Sequence, residues 1–193
     1  MSAVLSATAT TALEREHHCA EAVVETMLTI ADSLEQGRRI DNSLLAEVIF
    51  FLRIFVDQCQ TAEEDTLLFP ALEAKCTPPD TGLIASLRND HRNLASVTLE
   101  LGELADQCAA GHDSVKEGLA STLRRLATLY REHIWKEDHV LLPLAEKILS
   151  PEQLNALNQA FERIESRISS GEVAKRIAQH TQRCQCGMGE VLI

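Results

Sequence analysis

QTAEEDTLLFPAL (residues 60–72) and HIWKEDHVLLPLA (residues 133–145) decide the fold of this chain. At a shift of 73 residues, Glu64 aligns with Glu137, Asp65 with Asp138, Leu68 with Leu141 and Pro70 with Pro143. A second pair, LEREHH (13–18) and LRNDHR (87–92), is offset by 74 residues and aligns Leu13 with Leu87, Glu16 with Asp90 and His17 with His91. Self-similarity at a long, nearly constant period marks a duplicated unit. Each stretch lies in a run with apolar residues three and four apart, the signature of amphipathic helices. The unit is therefore a helical hairpin, present twice and related by an approximate two-fold axis.

Working outward, four long helical runs emerge. The first spans about residues 10–36 and carries Leu13, Val23, Val24, Met27, Leu28, Ala31 and Leu34 before Gly37 stops it. The second opens after Asp41 or Asn42, both good N-caps, and continues to about Lys75, where Thr77-Pro78-Pro79-Asp80 breaks the chain. The third covers about residues 81–110 and ends at Gly111, and the fourth runs from Asp113 or Ser114 to about Leu149. Ser150-Pro151-Glu152 reads as a cap and first turn of a shorter helix reaching about Ser169, and a last helical stretch is expected over residues 172–182. Short connections between long helices force antiparallel neighbours. The expected fold is all-α, an up-down-up-down four-helix bundle with an extra C-terminal helix. The expected divisions are a flexible N-terminus (1–9), the bundle (10–150), a helical extension (151–182) and a Cys-containing tail (183–193). Pro70 and Pro143 should each bend or end a helix locally.

Bulk properties exclude several function classes. A net charge of -11 repels phosphate backbones, so nucleic acid is not an expected partner. No apolar run approaches the ~20 residues needed to span a bilayer, and the first residues lack the basic-then-apolar order of a signal peptide. A cytoplasmic location is the default expectation. The six cysteines are then thiols, with Cys19, Cys59 and Cys108 expected as small buried hydrophobes. Cys184 and Cys186, with His180 nearby, form a candidate redox or metal-binding tail, but their spacing is not that of a common structural zinc site. Trp135 and Tyr130 are expected at helix contacts, and His112 and His139 in solvent. No phosphate-binding loop, nucleophile elbow or catalytic cysteine motif is present.

The repeated polar residues are the exceptional feature. His17, Glu64, His91, His133 and Glu137 all sit in apolar surroundings. His133 and Glu137 are four apart and share a helix face, and Glu64 takes the equivalent place on the second helix. Singly, each residue reads as an ordinary core or boundary group. Two hairpins carrying the same polar residues at matching positions do not. A carboxylate on the core side costs several kcal/mol unless it is paired or bound to a metal. Imidazoles and carboxylates converging inside a bundle are ligands suited to a di-iron or similar centre. Glu14 and His17 also satisfy Glu-x-x-His, but the second copy that a ferritin-like site requires is missing.

These residues resemble the hemerythrin-like, or HHE cation-binding, family over about residues 10–165. The likeness rests on the EH of LEREHH, on FVDQCQTAEEDTLLFPALEA, on the third-helix NDH and on YREHIWKEDHVLLPLAEKILS. It implies a pair of irons held by histidines and bridged by two glutamates, with other divalent metals as alternatives. His17 would be the ligand from helix one, Glu64 would bridge from helix two, His91 would come from helix three, and His133 with Glu137 from helix four. The departure is Gln60, which stands where the family has the first His of the helix-two motif. Gln60 and His17 would serve one metal, and His91 and His133 the other. The His17 position is therefore expected to be weaker or open to an external ligand. His18, Glu63 and Tyr130 are the candidate replacements.

Three functions follow from the resemblance. The centre binds or senses dioxygen, nitric oxide or peroxide. Alternatively it is an enzyme that turns over peroxide or nitric oxide, or the chain is a structural or signalling bundle depleted of metal. The partner expected in the first two cases is a small diatomic or peroxide ligand.

Overall fold

The computed structural model describes residues 8–54 and 60–168, and every regular element among them is helical. The elements are α1 (Ala9–Glu35), α2 (Asn42–Phe51), α3 (Thr61–Glu63), α4 (Phe69–Glu73), α5 (Pro78–Ala109), α6 (Lys116–Lys136), α7 (Leu142–Ile148) and α8 (Pro151–Ile168). Two π-helical turns, Glu64–Leu68 and Glu137–Leu141, join α3 to α4 and α6 to α7. The expected stretch over residues 172–182 and the tail cysteines lie outside the described residues.

Local chemistry sets the helix ends. Thr8 caps α1 reciprocally with Thr11, and Asp41 accepts from the backbone N–H groups of Ser43 and Leu44 at the start of α2. Before α5, the hydroxyl of Thr77 donates to Asp80 at 2.8 Å. Ser150 and Gln153 exchange two bonds before α8. Caps of this kind are each worth about 1 kcal/mol. Gly37 and Gly111 end α1 and α5 in the left-handed region, with φ of 67° and 89°, a conformation that costs glycine little.

The two π turns fall at matching positions of the repeat and resolve the proline problem. Pro70 and Pro143 are each the second residue of the helix that follows a π turn. Proline has no N–H to donate four residues back, and its ring clashes with the carbonyl there. Widening the preceding turn removes that conflict. Phe69 N–H bonds to Glu64 O and Leu142 N–H to Glu137 O, five residues back in each case. The prolines therefore mark wide turns within continuing helical segments, where the sequence suggested a bend or an end.

Packing follows the apolar stripes. α1 lies along α6, α5 along α6, and α2 touches both α1 and α5, while α8 leans on α1. Two apolar layers result. One contains Val23, Met27, Leu45, Phe51, Leu101 and Leu126. The other contains Leu13, Phe69, Leu72, Leu87, Leu142 and Phe161. Along α1 and α5 the chain meets the second layer before the first. Along α2–α4 and α6–α7 it meets them in the opposite order. Between the layers, every segment places polar residues on the inside: Glu16 and His17 from the first, Gln60, Glu63 and Glu64 from the second, His91 from the third, and His133 and Glu137 from the fourth.

Three side-chain expectations are corrected. Cys19 is exposed and Cys108 only half-buried, because both fall beside the buried stripe of their helices. Cys59 lies outside the described residues. Trp135 is 56% exposed, stacked on His139 at 4.9 Å instead of sitting between helices. Tyr130 is buried as expected, and His112 and His139 are in solvent. No helix among the described residues is long and apolar enough to cross a membrane.

Candidate metal centre

Four helical segments deliver one polar layer. His17 comes from α1, Glu64 opens the first π turn, His91 comes from α5, His133 from the last turn of α6, and Glu137 opens the second π turn. All five are buried. Glu64, His91, His133 and Glu137 each offer a ligand atom, and these atoms lie within 4.8 Å of one another. Glu64 Oε2 is 3.0 Å from His91 Nε2. Glu137 Oε2 stands 3.1 Å from His17 Nε2 and 3.3 Å from His133 Nε2. The rings of His91 and His133 meet edge to face at 4.9 Å.

Each imidazole also faces a carboxylate on its outer edge. His17 Nδ1 lies 2.5 Å from Asp138 Oδ1, and His91 Nδ1 lies 3.4 Å from Asp65 Oδ2. His133 Nδ1 lies 3.8 Å from Asp90 Oδ2, which Lys136 Nζ holds at 2.5 Å. The repeat is visible here as chemistry. The consecutive pair Glu64-Asp65 grips His91 on both edges, and its mate Glu137-Asp138 grips His17.

That geometry fixes what the inner edge can do. When Nδ1–H donates to a carboxylate, the Nε2 lone pair points the other way. His17 then aims a lone pair at a carboxylate oxygen 3.1 Å away. Two electron-rich atoms at that distance repel unless a proton or a metal ion joins them. Neither His17 Nε2 nor the oxygens of Glu64 and Glu137 complete a well-formed hydrogen bond. Among the described residues, the buried charged side chains beside the histidines are Glu16, Glu63, Glu64 and Glu137, with no buried lysine or arginine. The carboxylates of Glu64 and Glu137 therefore need positive partners, either protons or a metal ion.

Protons can meet that need in part. Burial opposes protonation of His17, but Asp138 and then Glu137 outweigh it and raise the ring to about 10. Burial likewise opposes protonation of His91, and Glu64 lifts it to about 9. Glu64 is pushed up, first by burial and then by the charge of Glu137. Burial acts the same way on Glu137, yet His133 and His17 bring it below the usual carboxylate range. The donor set fits a metal ion equally well: nitrogen and oxygen ligands, buried, oriented from behind, and close enough to share a cation.

The other expected residues separate cleanly. His18 is exposed, with its Nδ1 2.6 Å from the carbonyl of Glu14, so it stands off the centre. Successive helix positions diverge by about 100°, so His17 and His18 cannot both face inward. Gln60 is buried, and its Nε2 has no hydrogen-bond partner. Glu63 and Tyr130 are both buried. Sequence reasoning gave Asp65, Asp90, Asp138 and Lys136 no role. The available signal was the acidic residue that follows the glutamate in both copies of the repeat.

No curated protein and no solved structure matches the chain. The family described as "Hemerythrin HHE cation binding domain" does match, over residues 8–145. Because that span takes in α1 to α6, the first half of α7 and every residue of the polar layer, the duplicated hairpins and their converging imidazoles and carboxylates make this chain a member of the hemerythrin HHE cation-binding family.

Proposed function

We propose that the chain is a non-haem iron protein whose centre is held by His17, Glu64, His91, His133 and Glu137, and that it binds or senses dioxygen, nitric oxide or peroxide. The observation that carries this reading is His17. Its outer nitrogen is held by Asp138, and its inner nitrogen faces Glu137 Oε2 at 3.1 Å without completing a well-formed hydrogen bond. Such a ring is oriented as a metal ligand is, by an outer carboxylate that fixes its tautomer. Iron would supply redox chemistry and an open position for a small external ligand. The protein residues orient the imidazoles, share two carboxylates and exclude bulk water through the apolar layers above and below.

The scaffold that supports this reading is an up-down-up-down four-helix bundle with α8 added outside. The alternating order in which successive segments meet the two apolar layers favours it. In that arrangement the polar layer sits between the two apolar layers.

Metal analysis after purification without added iron tests the proposal. Near two irons per chain is the expected result for a filled centre, and near one for a centre weakened at Gln60. Azide, nitric oxide or peroxide should then shift the near-ultraviolet absorption of the ferric protein. Absence of bound metal would leave the structural-bundle reading in its place. Peroxide loss faster than with free iron would favour the enzymatic reading.

A further inference from the structure

Away from the polar layer, α2 and α5 pack side by side and leave a surface groove of about 280 Å³ between them. Ala46, Phe50, Arg53, Gly102, Ala105 and Asp106 line it. Pockets for small molecules run from about 300 to 1,000 Å³ and enclose most of their ligand. This groove is smaller and open to solvent, so it suits a protruding side chain better than a cofactor. Its walls carry exposed apolar groups. Phe50 is 49% exposed. Leu99, 58% exposed, continues the α5 stripe of Gly102 and Asp106 at three- and four-residue spacing. Exposed apolar surface of this kind marks interaction sites.

The groove also holds two opposite charges. Arg53 reaches from the turn after α2 across to α5, and its guanidinium occupies the space that a Cβ on Gly102 would fill. A glycine within a helix costs about 1 kcal/mol relative to alanine; here the missing side chain seats the cation. Asp106 is one turn further along α5, about 6 Å along the helix axis. Arg124, Arg125 and Arg131 each hold a carboxylate on a neighbouring helix. Neither Arg53 nor Asp106 forms an ion pair among the described residues.

We infer that this groove is the contact surface for a second copy of the chain, related by a two-fold axis that passes between Gly102 and Asp106. A two-fold contact uses the same patch on both copies and must be complementary to itself. Opposite charges one turn apart meet that condition, since Arg53 of each copy faces the partner's Asp106. Phe50 of each copy then enters the other's groove. A partner of uniform charge would satisfy one of the two groups and repel the other. Each chain carries a net charge of -11, but repulsion is screened beyond about 8 Å at physiological ionic strength. The local pairs therefore set the register. None of the proposed metal ligands takes part, so the contact stands or falls independently of the metal reading.

Sedimentation equilibrium of the full-length chain across the micromolar range tests the inference. The expected result is a concentration-dependent dimer with no larger species. Arg53→Asp or Asp106→Arg alone places like charges opposite each other and should weaken the dimer at least about tenfold. Combining the two reversals should restore it, which a merely structural effect would not do. Phe50→Ser should also cost about tenfold or more. Gly102→Ala, which pushes the guanidinium from its seat while favouring the helix, should weaken the dimer without lowering the melting temperature. A wild-type monomer at every concentration would overturn the inference and leave the groove to another occupant. So would an open assembly larger than a dimer, a dimer indifferent to both reversals, or a double reversal that stays monomeric. Circular dichroism monitors folding. If a reversed variant does not fold, Phe50→Ser and Gly102→Ala decide in its place.

Discussion

Asp138→Asn is the most informative single change, because it alters the charge behind a proposed ligand while conserving shape. Asp138 Oδ1 lies 2.5 Å from His17 Nδ1, and an asparagine oxygen accepts the same hydrogen bond. What is lost is the charge that makes the ring a stronger donor towards a cation. A hydrogen bond to a charged group contributes about 1.5–3 kcal/mol. Asp138 is 32% exposed, so solvent screening places the effect in the lower half, about 1.5–2 kcal/mol. At about 1.4 kcal/mol per factor of ten, metal affinity at the His17 position should fall roughly 10- to 30-fold. Replacing such an outer partner commonly costs about 10- to 100-fold. The assay is a competition titration against a coloured chelator, which resolves two binding steps. Only the weaker step should move in Asp138→Asn, and only the tighter step in Asp65→Asn, because Asp65 backs His91. Affinities within twofold of wild type in both variants, or equal weakening of both steps in each, would refute the argument that these carboxylates orient separate ligands.

Three further outcomes are expected. In the metal-free protein His17 and His91 hold protons to about pH 10 and 9, so metal uptake at neutral pH must release protons; calorimetry in buffers of different ionisation enthalpy should show more than one proton released per chain, and affinity should fall as pH falls. For the stripped protein the raised histidines stabilise the fold fully below the ordinary value of 6.5, and that contribution is lost as pH rises through about 9 to 10; melting temperature should decline across that window and decline less once metal is bound. Phe69 is fully buried, stacked on the His91 ring at 5.7 Å and covered by the Arg88 guanidinium at 5.2 Å; Phe69→Ala should cost about 3–5 kcal/mol in denaturant unfolding, whereas Phe69→Leu, which copies Leu142 of the other half, should cost less than about 1.5 kcal/mol.

Stability and function draw on the same layer of side chains. The apolar layers on either side are continuous enough to hold the helices together, and the exposed ion pairs of Arg124 with Asp32 and Glu35 add little by comparison. The polar layer is costly without protons or a cation because Glu64 and Glu137 are both fully buried. Occupancy by a metal should therefore raise the stability of the whole bundle, in proportion to the binding free energy.

Sequence alone determined the helical class and the duplication, and it singled out His17, Glu64, His91, His133 and Glu137, which the structure buries. A repeat makes buried polar positions conspicuous because chance does not place them twice. It also located the start of α8, since Ser150-Pro151 is a strong local signal. Local signals did not distinguish a bent helix from a π turn at Pro70 and Pro143, because the i to i−5 bond depends on how the following turn packs. Helical periodicity alone also left the exposure of Cys19 and Trp135 undecided, since either edge of an apolar stripe can face a neighbour or water. Above all, the roles of Asp65, Asp90 and Asp138 were set by tertiary structure. Each contacts a histidine on another helix, and a pairing across helices is decided by the rotation of one helix against the next, which no single segment encodes. The same is true of Glu63: its charge was plain in the chain, but only packing revealed that it is shut away from water.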